Sequence, residues 1–290
     1  MREHYVCLTF DFDAISPWIF RGMTTPTPIS RGEFGIVGAA RLLDLLARYD
    51  IQATWFVPGH TLETYPDICR RIYAEGHEIA HHGYLHEPPA TLSYEEERAV
   101  LLRGNDAIMR ATGAPARGYR SPSWDLSPHT VELLLEHGFD YDSSMMAHDH
   151  HPYFARQGDL FPRDQPAQFG RETRLIEMPI SWSLDDYPHF EFNRTETGLL
   201  PGLQRADDVL ANWLDDFRYM ARTEEWGLLT YTMHPQVIGR GHRMIMLERL
   251  IQSLRELGAQ FARMDAMAEA FALLADISQS PGRRRVSGQG

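Results

Sequence analysis

Val6, Leu8, Phe10 and Phe12 alternate with Cys7, Thr9, Asp11 and Asp13 near the start of the chain. A period of two places successive side chains on opposite faces, which predicts a strand over residues 5–12. Further strand-like apolar runs follow at 52–57, 77–82, 118–121, 139–142, 175–179, 227–234 and 259–262. Stretches with helical spacing separate them. Residues 35–49 carry Ile36, Ala39, Ala40, Leu43 and Leu46 on one face, and 62–74, 94–112, 128–137, 207–223, 244–257 and 264–274 show the same spacing. Ser93 and Glu96 have the spacing of a capping box, and Ser127-Pro128 suits a helix start. Gly76, Gly113, Gly138, Gly227 and Gly258 stand where a glycine closes a helix.

Seven or eight strand–helix units in one continuous series predict an α/β protein whose parallel strands form a (β/α) barrel. No linker or repeat divides the series, so residues 1–275 read as a single catalytic domain and 276–290 as a disordered tail. Two long segments, 14–33 and 144–174, interrupt the pattern. Pro17, Pro26, Pro28, Pro152, Pro162 and Pro166 are expected to keep them irregular, as lids or subunit contacts. The chain of 290 residues is 43% hydrophobic and 23% charged, ordinary for a globular enzyme. A formal net charge of −12 argues against general binding to nucleic acid or anionic membrane, and the basic run Arg283-Arg284-Arg285 lies in the tail. The two cysteines give no disulfide framework. With no leader-like or membrane-spanning run in the sequence, a cytoplasmic enzyme is expected.

In a parallel barrel, chemistry gathers at the C-terminal ends of the strands. Asp11 and Asp13 end the first strand, His82 the third, Arg120 the fourth and His234 the seventh. Asp11 and Asp13 project side by side and repel unless a metal ion, an arginine or both lie beside them. His82 and His86 have the spacing His-x3-His, which with a carboxylate suits Zn2+ with a position open to water. His77 and His81 share that spacing, and His148, His150 and His151 form a third cluster that reads as a solvated loop. Each feature alone has a structural reading: a turn held by hydrogen bonds, a strand end, an ion pair at the core's edge. Convergence of four strands carries more weight than any one residue.

Thr9-Phe10-Asp11-Phe12-Asp13, His82-Gly83-Tyr84-Leu85-His86, Arg120-Ser121-Pro122-Ser123-Trp124 and Met233-His234-Pro235 occur in this order. Together they resemble the motif set of the polysaccharide deacetylase (NodB homology) superfamily over residues 5 to about 265. The resemblance implies a distorted (β/α) barrel with one divalent metal. It implies Asp13, His82 and His86 as ligands, Asp11 as general base, Arg120 as its partner and His234 as general acid. Trp182, Asp185 and Asp186 are the nearby candidates for the pair that orients the acid histidine, and Trp124, Trp182 and Glu33 for pocket contacts. Extracellular members normally carry adjacent aspartates, whereas Phe12 separates the two here. That departure, with Ile29-Ser30-Arg31-Gly32-Glu33-Phe34-Gly35, is similar to a subgroup of cyclic imide hydrolases, allantoinase-like enzymes and one class of peptidoglycan deacetylases. The subgroup implies a homo-oligomer, a tetramer. An acidic cytoplasmic enzyme with closing loops favours ring opening of a small cyclic imide or ureide. The alternative is deacetylation of N-acetyl sugars or peptidoglycan fragments, through the same tetrahedral intermediate. A non-catalytic binding barrel would want a missing base or ligand, and none is missing. A phosphoesterase would want a second metal site or a phosphate cradle.

Overall fold

The alternating run at the start of the chain becomes the central strand β1 (Glu3–Asp11) of a computed structural model that describes residues 2–191, 193–195, 198–200 and 202–279. The other strands are β2 (Thr54–Val57), β3 (Glu78–His81), β4 (Gly118–Tyr119), β5 (Tyr141–Asp142), β6 (Tyr153–Gln157), β7 (Arg171–Glu177), β8 (Asn193–Thr195), β9 (Gly198–Leu200), β10 (Trp226–Met233) and β11 (Gln260–Phe261). The sheet runs β10-β1-β2-β3-β4-β5-β7-β6. All its pairings are parallel except β6 on β7, and β11 also pairs with β1. All eight expected strands form. The ends of the sheet meet through one main-chain bond, Leu228 N–H to the His150 carbonyl at 2.9 Å, and a parallel bridge between Asp185 and Thr232. The barrel is therefore distorted, with a seam between β7 and β10.

Alternation sorts the side chains. Val6, Leu8, Phe10 and Phe12 face the helix layer, where Phe10 and Trp55 stack with centroids 4.6 Å apart. Cys7 faces inward with Phe56, Ala80, Tyr141, Ile176 and Leu228, and Met264, Met267 and Ala268 of the helix Met264–Gln279 pack against them. Glu78 lies among these residues, accepting from Thr54 Oγ1 (2.7 Å), Tyr141 Oη (2.9 Å) and the Asp265 N–H (3.2 Å). Along β10 the inward series Leu228, Thr230, Thr232 leads to His234. Along β1 it is Cys7, Thr9, Asp11, and along β3 Ala80, His82. An apolar middle layer thus passes into a polar mouth.

Close backbone approach fixes two parts of that mouth. A Cβ on Gly38 would fall 1.9 Å from the Pro235 carbonyl oxygen, and one on Gly104 would fall 2.4 Å from His81 Nε2 and 2.8 Å from the Gly83 carbonyl oxygen. Glycine lets the helices Pro26–Arg48 and Tyr94–Thr112 press on the turns that carry His234 and His82. Ser93 and Glu96 do form a capping box, and Gly113 closes that helix with φ 82°.

Several expectations are corrected. Segment 14–33 holds a helix, Ser16–Phe20, and the start of Pro26–Arg48, because Pro17 and Pro26 sit in first turns, where no N–H is needed. Segment 144–174 contains β6 and the start of β7. Gly227 belongs to β10 instead of closing a helix. The last helix runs to Gln279, into the segment expected to be a disordered tail, and residues 280–290 lie outside the described residues. Among the described residues no helix is long and apolar enough to cross a membrane.

Candidate functional site

The strand ends deliver their side chains to one cavity of about 300 Å³, lined by Asp11, Asp13, His82, His86, Trp124, Trp182 and His234 among others. Asp13 Oδ1 lies 3.5 Å from His82 Nε2 and 3.7 Å from His86 Nε2. One donor atom from each of the three residues falls within 4.8 Å of the others. Asp13 Oδ1 is buried without a hydrogen-bond partner, an arrangement a cation between the three would satisfy. His82 Nδ1–H donates to the Arg120 carbonyl at 2.8 Å, which leaves Nε2 with its lone pair toward Asp13. Burial, opposed by Asp13, lowers His86 to about 4 and so keeps it a neutral donor. The turn that presents His86 is tight. Gly83 has φ 71° and His86 itself φ 65°, and Glu87 Oε2 holds the turn by accepting from Tyr84 N–H (3.1 Å) and Leu85 N–H (2.7 Å). The Asp/His/His set fits a divalent metal.

Asp11 is tied differently. Arg120 Nη1 reaches Asp11 Oδ1 at 2.7 Å, with both side chains buried. Burial would raise the Asp11 pKa, but the charges of Arg120, His82 and His234 outweigh it and hold the carboxyl below its usual range. Arg120 also donates to Thr9 Oγ1 (2.9 Å), the Ser143 carbonyl (3.1 Å) and Ser143 Oγ (2.9 Å), and lies over the Phe56 ring at 4.0 Å.

Opposite stands His234, its Nε2 4.0 Å from Asp11 Oδ2 and 3.8 Å from Asp13 Oδ2. Its Nδ1 bonds to Asp186 Oδ1 at 2.8 Å, and its backbone N–H donates to the same carboxylate. Burial disfavours the imidazolium. Asp185, Asp186 and Asp13 overcome that and raise the His234 pKa well above its ordinary value. Burial lifts Asp185 to about 7, against the pull of His234, and its Oδ1 accepts from Tyr187 N–H at 2.7 Å. Asp185, Asp186 and His234 also cluster closely enough for a metal. Both Asp186 oxygens and Asp185 Oδ1 are already engaged by N–H donors, so this group reads as the support of His234.

Trp124 and Trp182 stack with centroids 4.1 Å apart and line the cavity. Glu33 does not. It sits on the exposed side of the helix Pro26–Arg48 and is absent from the cavity lining. Trp18, Arg21, Tyr187 and Gln236 also line the cavity, though no motif marks them in the sequence. The proline-marked segment 14–33 was the sequence signal for the first two. His77 and His81 are structural: His77 Nδ1 accepts from Ala53 N–H (3.0 Å), and His81 bonds to the Leu101 carbonyl (3.0 Å). His148 Nδ1 accepts from the N–H groups of His150 and His151, which shapes the loop at the barrel's seam.

A parallel barrel with a buried carboxylate–arginine pair, a carboxylate-braced histidine and metal-type donors at its mouth is the arrangement of a hydrolase. The chain belongs to the polysaccharide deacetylase family. The polysaccharide deacetylase family model matches residues 32–141. A peptidoglycan deacetylase of Helicobacter pylori is 36% identical over 284 residues, covering 93% of this chain and 97% of the relative. A solved Mycobacterium smegmatis structure assigned to the polysaccharide deacetylases has 32% identity and a TM-score of 0.80, covering 100% of this chain and 96% of the other. The structure of the PuuE allantoinase aligns with a TM-score of 0.76 at 22% identity, covering 93% and 90%, which is likeness of fold.

Proposed function

We propose that the protein is a metal-dependent deacetylase that removes the acetyl group from N-acetylated sugars of the peptidoglycan type. One observation carries the reading. Asp11 and His234 face each other across the Asp13/His82/His86 donors, one held ionised by Arg120 and the other held protonated by Asp186 and Asp185. Environments that push two titratable groups apart assign the base and the acid. Asp13, His82 and His86 would hold the ion. Zn2+ suits this donor set, and when bound it supplies Lewis acidity and a more acidic water. Asp11 takes the proton of the attacking water. Arg120 keeps Asp11 charged and oriented. His234 delivers a proton to the departing amine nitrogen, and Asp186 fixes its ring so that Nε2 points into the cavity. Atoms balance: the C–N bond breaks, water supplies OH to the acyl carbon and a proton reaches nitrogen. Trp124 and Trp182 offer a stacked face for a sugar ring.

The likeness to a peptidoglycan deacetylase over nearly the whole of both chains supports deacetylation over ring opening of an imide or ureide. The test is a substrate screen with metal-loaded protein, following acetate release from N-acetylglucosamine oligomers and peptidoglycan fragments beside ring opening of succinimide, hydantoin and allantoin. Acetate release supports the proposal. Ring opening without acetate release would overturn it.

A further inference from the structure

We propose that Asp142 and Glu177 share one proton and act as a positioning pair for Asp11, through Ser143, Ser144 and Arg120. The two residues are register partners at the ends of β5 and β7, and both are fully buried. Neither lines the cavity. Each uses one oxygen on the turn that follows β5. Asp142 Oδ1 accepts from Ser144 Oγ at 2.7 Å, and Glu177 Oε1 accepts from the N–H groups of Ser144 and Met145 at 2.8 Å each. The other oxygens, Asp142 Oδ2 and Glu177 Oε2, are buried with no hydrogen-bond partner, and the cross-strand register sets the two carboxyls side by side on one face of the sheet. Two buried carboxylates cannot both ionise at that range. A proton on one turns both orphaned oxygens into a single O–H···O bond.

The neighbours agree. Burial and the facing Asp142 carboxylate raise Glu177 well above the carboxylate range, and burial lifts Asp142 to about 6. Arg120, the residue after β4, is the cation whose charge acts on Asp142. Tyr119 from β4 and Tyr153 from β6 also face it, and burial raises both phenols so that they stay neutral.

The turn so held is what grips the base's partner. Ser143 accepts Arg120 Nε at its carbonyl and Nη2 at its hydroxyl, and Ser144 Oγ accepts the Ser121 N–H at 2.8 Å. Arg120 Nη1 then reaches Asp11. The pair thus fixes, at two removes, where Asp11 points.

This inference rests on Asp11 acting as the base, and two arms separate its failure from a failure of that reading. The first needs no activity. In metal-free protein at neutral pH, the infrared difference between wild type and Asp142→Asn should contain the carbonyl stretch of a protonated carboxyl, and so should the difference from Glu177→Gln. Its absence from both overturns the shared proton. The second is kinetic. Asp142→Asn should keep kcat close to wild type, because an amide N–H replaces the shared proton. Asp142→Ala should lower kcat about tenfold or more at unchanged KM and metal content, since small misplacements of reacting groups are costly. In an Arg120→Lys background the Asp142→Ala loss should shrink below twofold, as expected for residues acting in series. Additive losses, or a change in KM alone, would overturn the positioning role. The infrared arm uses near-isosteric variants and can be read whether or not Asp142→Ala folds.

Discussion

Asn at position 11 keeps the shape of the aspartate and removes its charge, which exposes two separate consequences. The first is stability. Arg120 is fully buried, and Asp11 is the carboxylate it touches among the described residues. Removing one partner of a buried pair costs roughly 3–5 kcal/mol, because the remaining charge is left uncompensated. Three of the four Arg120 hydrogen bonds survive, as does its 4.0 Å contact with the Phe56 ring, and Asn can still accept the fourth. Repulsion between positions 11 and 13 also disappears. The cost should therefore sit at the low end, about 3 kcal/mol, a large share of the ~5–15 kcal/mol that holds a typical domain folded. Urea unfolding of metal-free protein measures it. The second consequence is turnover, which should fall by roughly 10²–10⁴-fold with the loss of a general base. Calorimetric titration with Zn2+ should still give one site, because Asp13, His82 and His86 are untouched. Normal turnover would remove Asp11 as the base. Loss of the metal site would move Asp11 into the ligand set, and a stabilised variant would show that Asp11 does not balance Arg120.

Four further outcomes are expected. Burial, with Asp265 beside it, pushes Glu78 from 4.5 up to about 7. A raised folded pKa gives stability that is full below the unfolded value and lost as pH rises through the folded one, here about 3 kcal/mol across that window. Urea stability of wild type minus Glu78→Gln should therefore decline from about pH 5 to about pH 8, and a flat difference would refute the assignment. Chelation should abolish turnover and add-back of a divalent ion restore it, with Asp13→Ala insensitive to add-back. Elemental analysis and add-back showing no metal dependence would dismiss the Asp13/His82/His86 site. Trp182 is 45% exposed and stacks on Trp124. Loss of a stacking face worth about 0.5–1.5 kcal/mol should raise KM for sugar substrates about two- to tenfold in Trp182→Ala with kcat little changed, and an unchanged KM would remove Trp182 from the sugar site. Finally, Leu160, Phe161 and Phe169 are exposed beside the β6–β7 hairpin, where a subunit contact would cover them. Light scattering should return the mass of four chains, and the mass of one would reject the tetramer.

How much of this was legible in the sequence depends on what kind of signal each residue left. Asp11, His82, Arg120 and His234 could be found because each follows an apolar strand, and parallel topology sends all such ends to one face. Arg120 was readable as a cation for Asp11, but the Asp142–Glu177 pair was not. Each of those acids follows a short run, and only the register of β5 on β7 brings them together. Pro17 and Pro26 misled because proline breaks a helix in its interior yet suits its first turn. β6 was missed because its alternation is weak: Tyr153, Phe154 and Gln157 are half-buried and only Ala155 is buried. Glu33 failed because its neighbours in sequence line a helix, and a 100° step turns it outward. Trp18, Arg21 and Tyr187 reach the cavity from the five-residue helices Ser16–Phe20 and Asp186–Phe190 or their ends, too short for a period to show in the sequence.

Phe12 explains why the two acids can divide their work. Adjacent residues of a strand face opposite sides, so neighbouring aspartates at its end would need the backbone to turn between them. With Phe12 interposed, its ring goes outward onto Trp55 at 6.0 Å, and both carboxylates stay on the cavity side. The two then sit on different supports. Asp11 is the last residue of β1, fixed by pairing with β2 and by Arg120. Asp13 lies beyond the strand in a braced turn, where its carbonyl accepts from Thr61 Oγ1 (2.8 Å) and Ser16 N–H (3.1 Å). A base must keep a fixed line to one water, whereas a ligand must meet two histidines from another strand. Separate anchoring lets each satisfy its own partners. In this chain the apolar residue between them keeps both acids on the cavity side: Phe12→Asp would bury a third carboxyl against Trp55 in the helix layer.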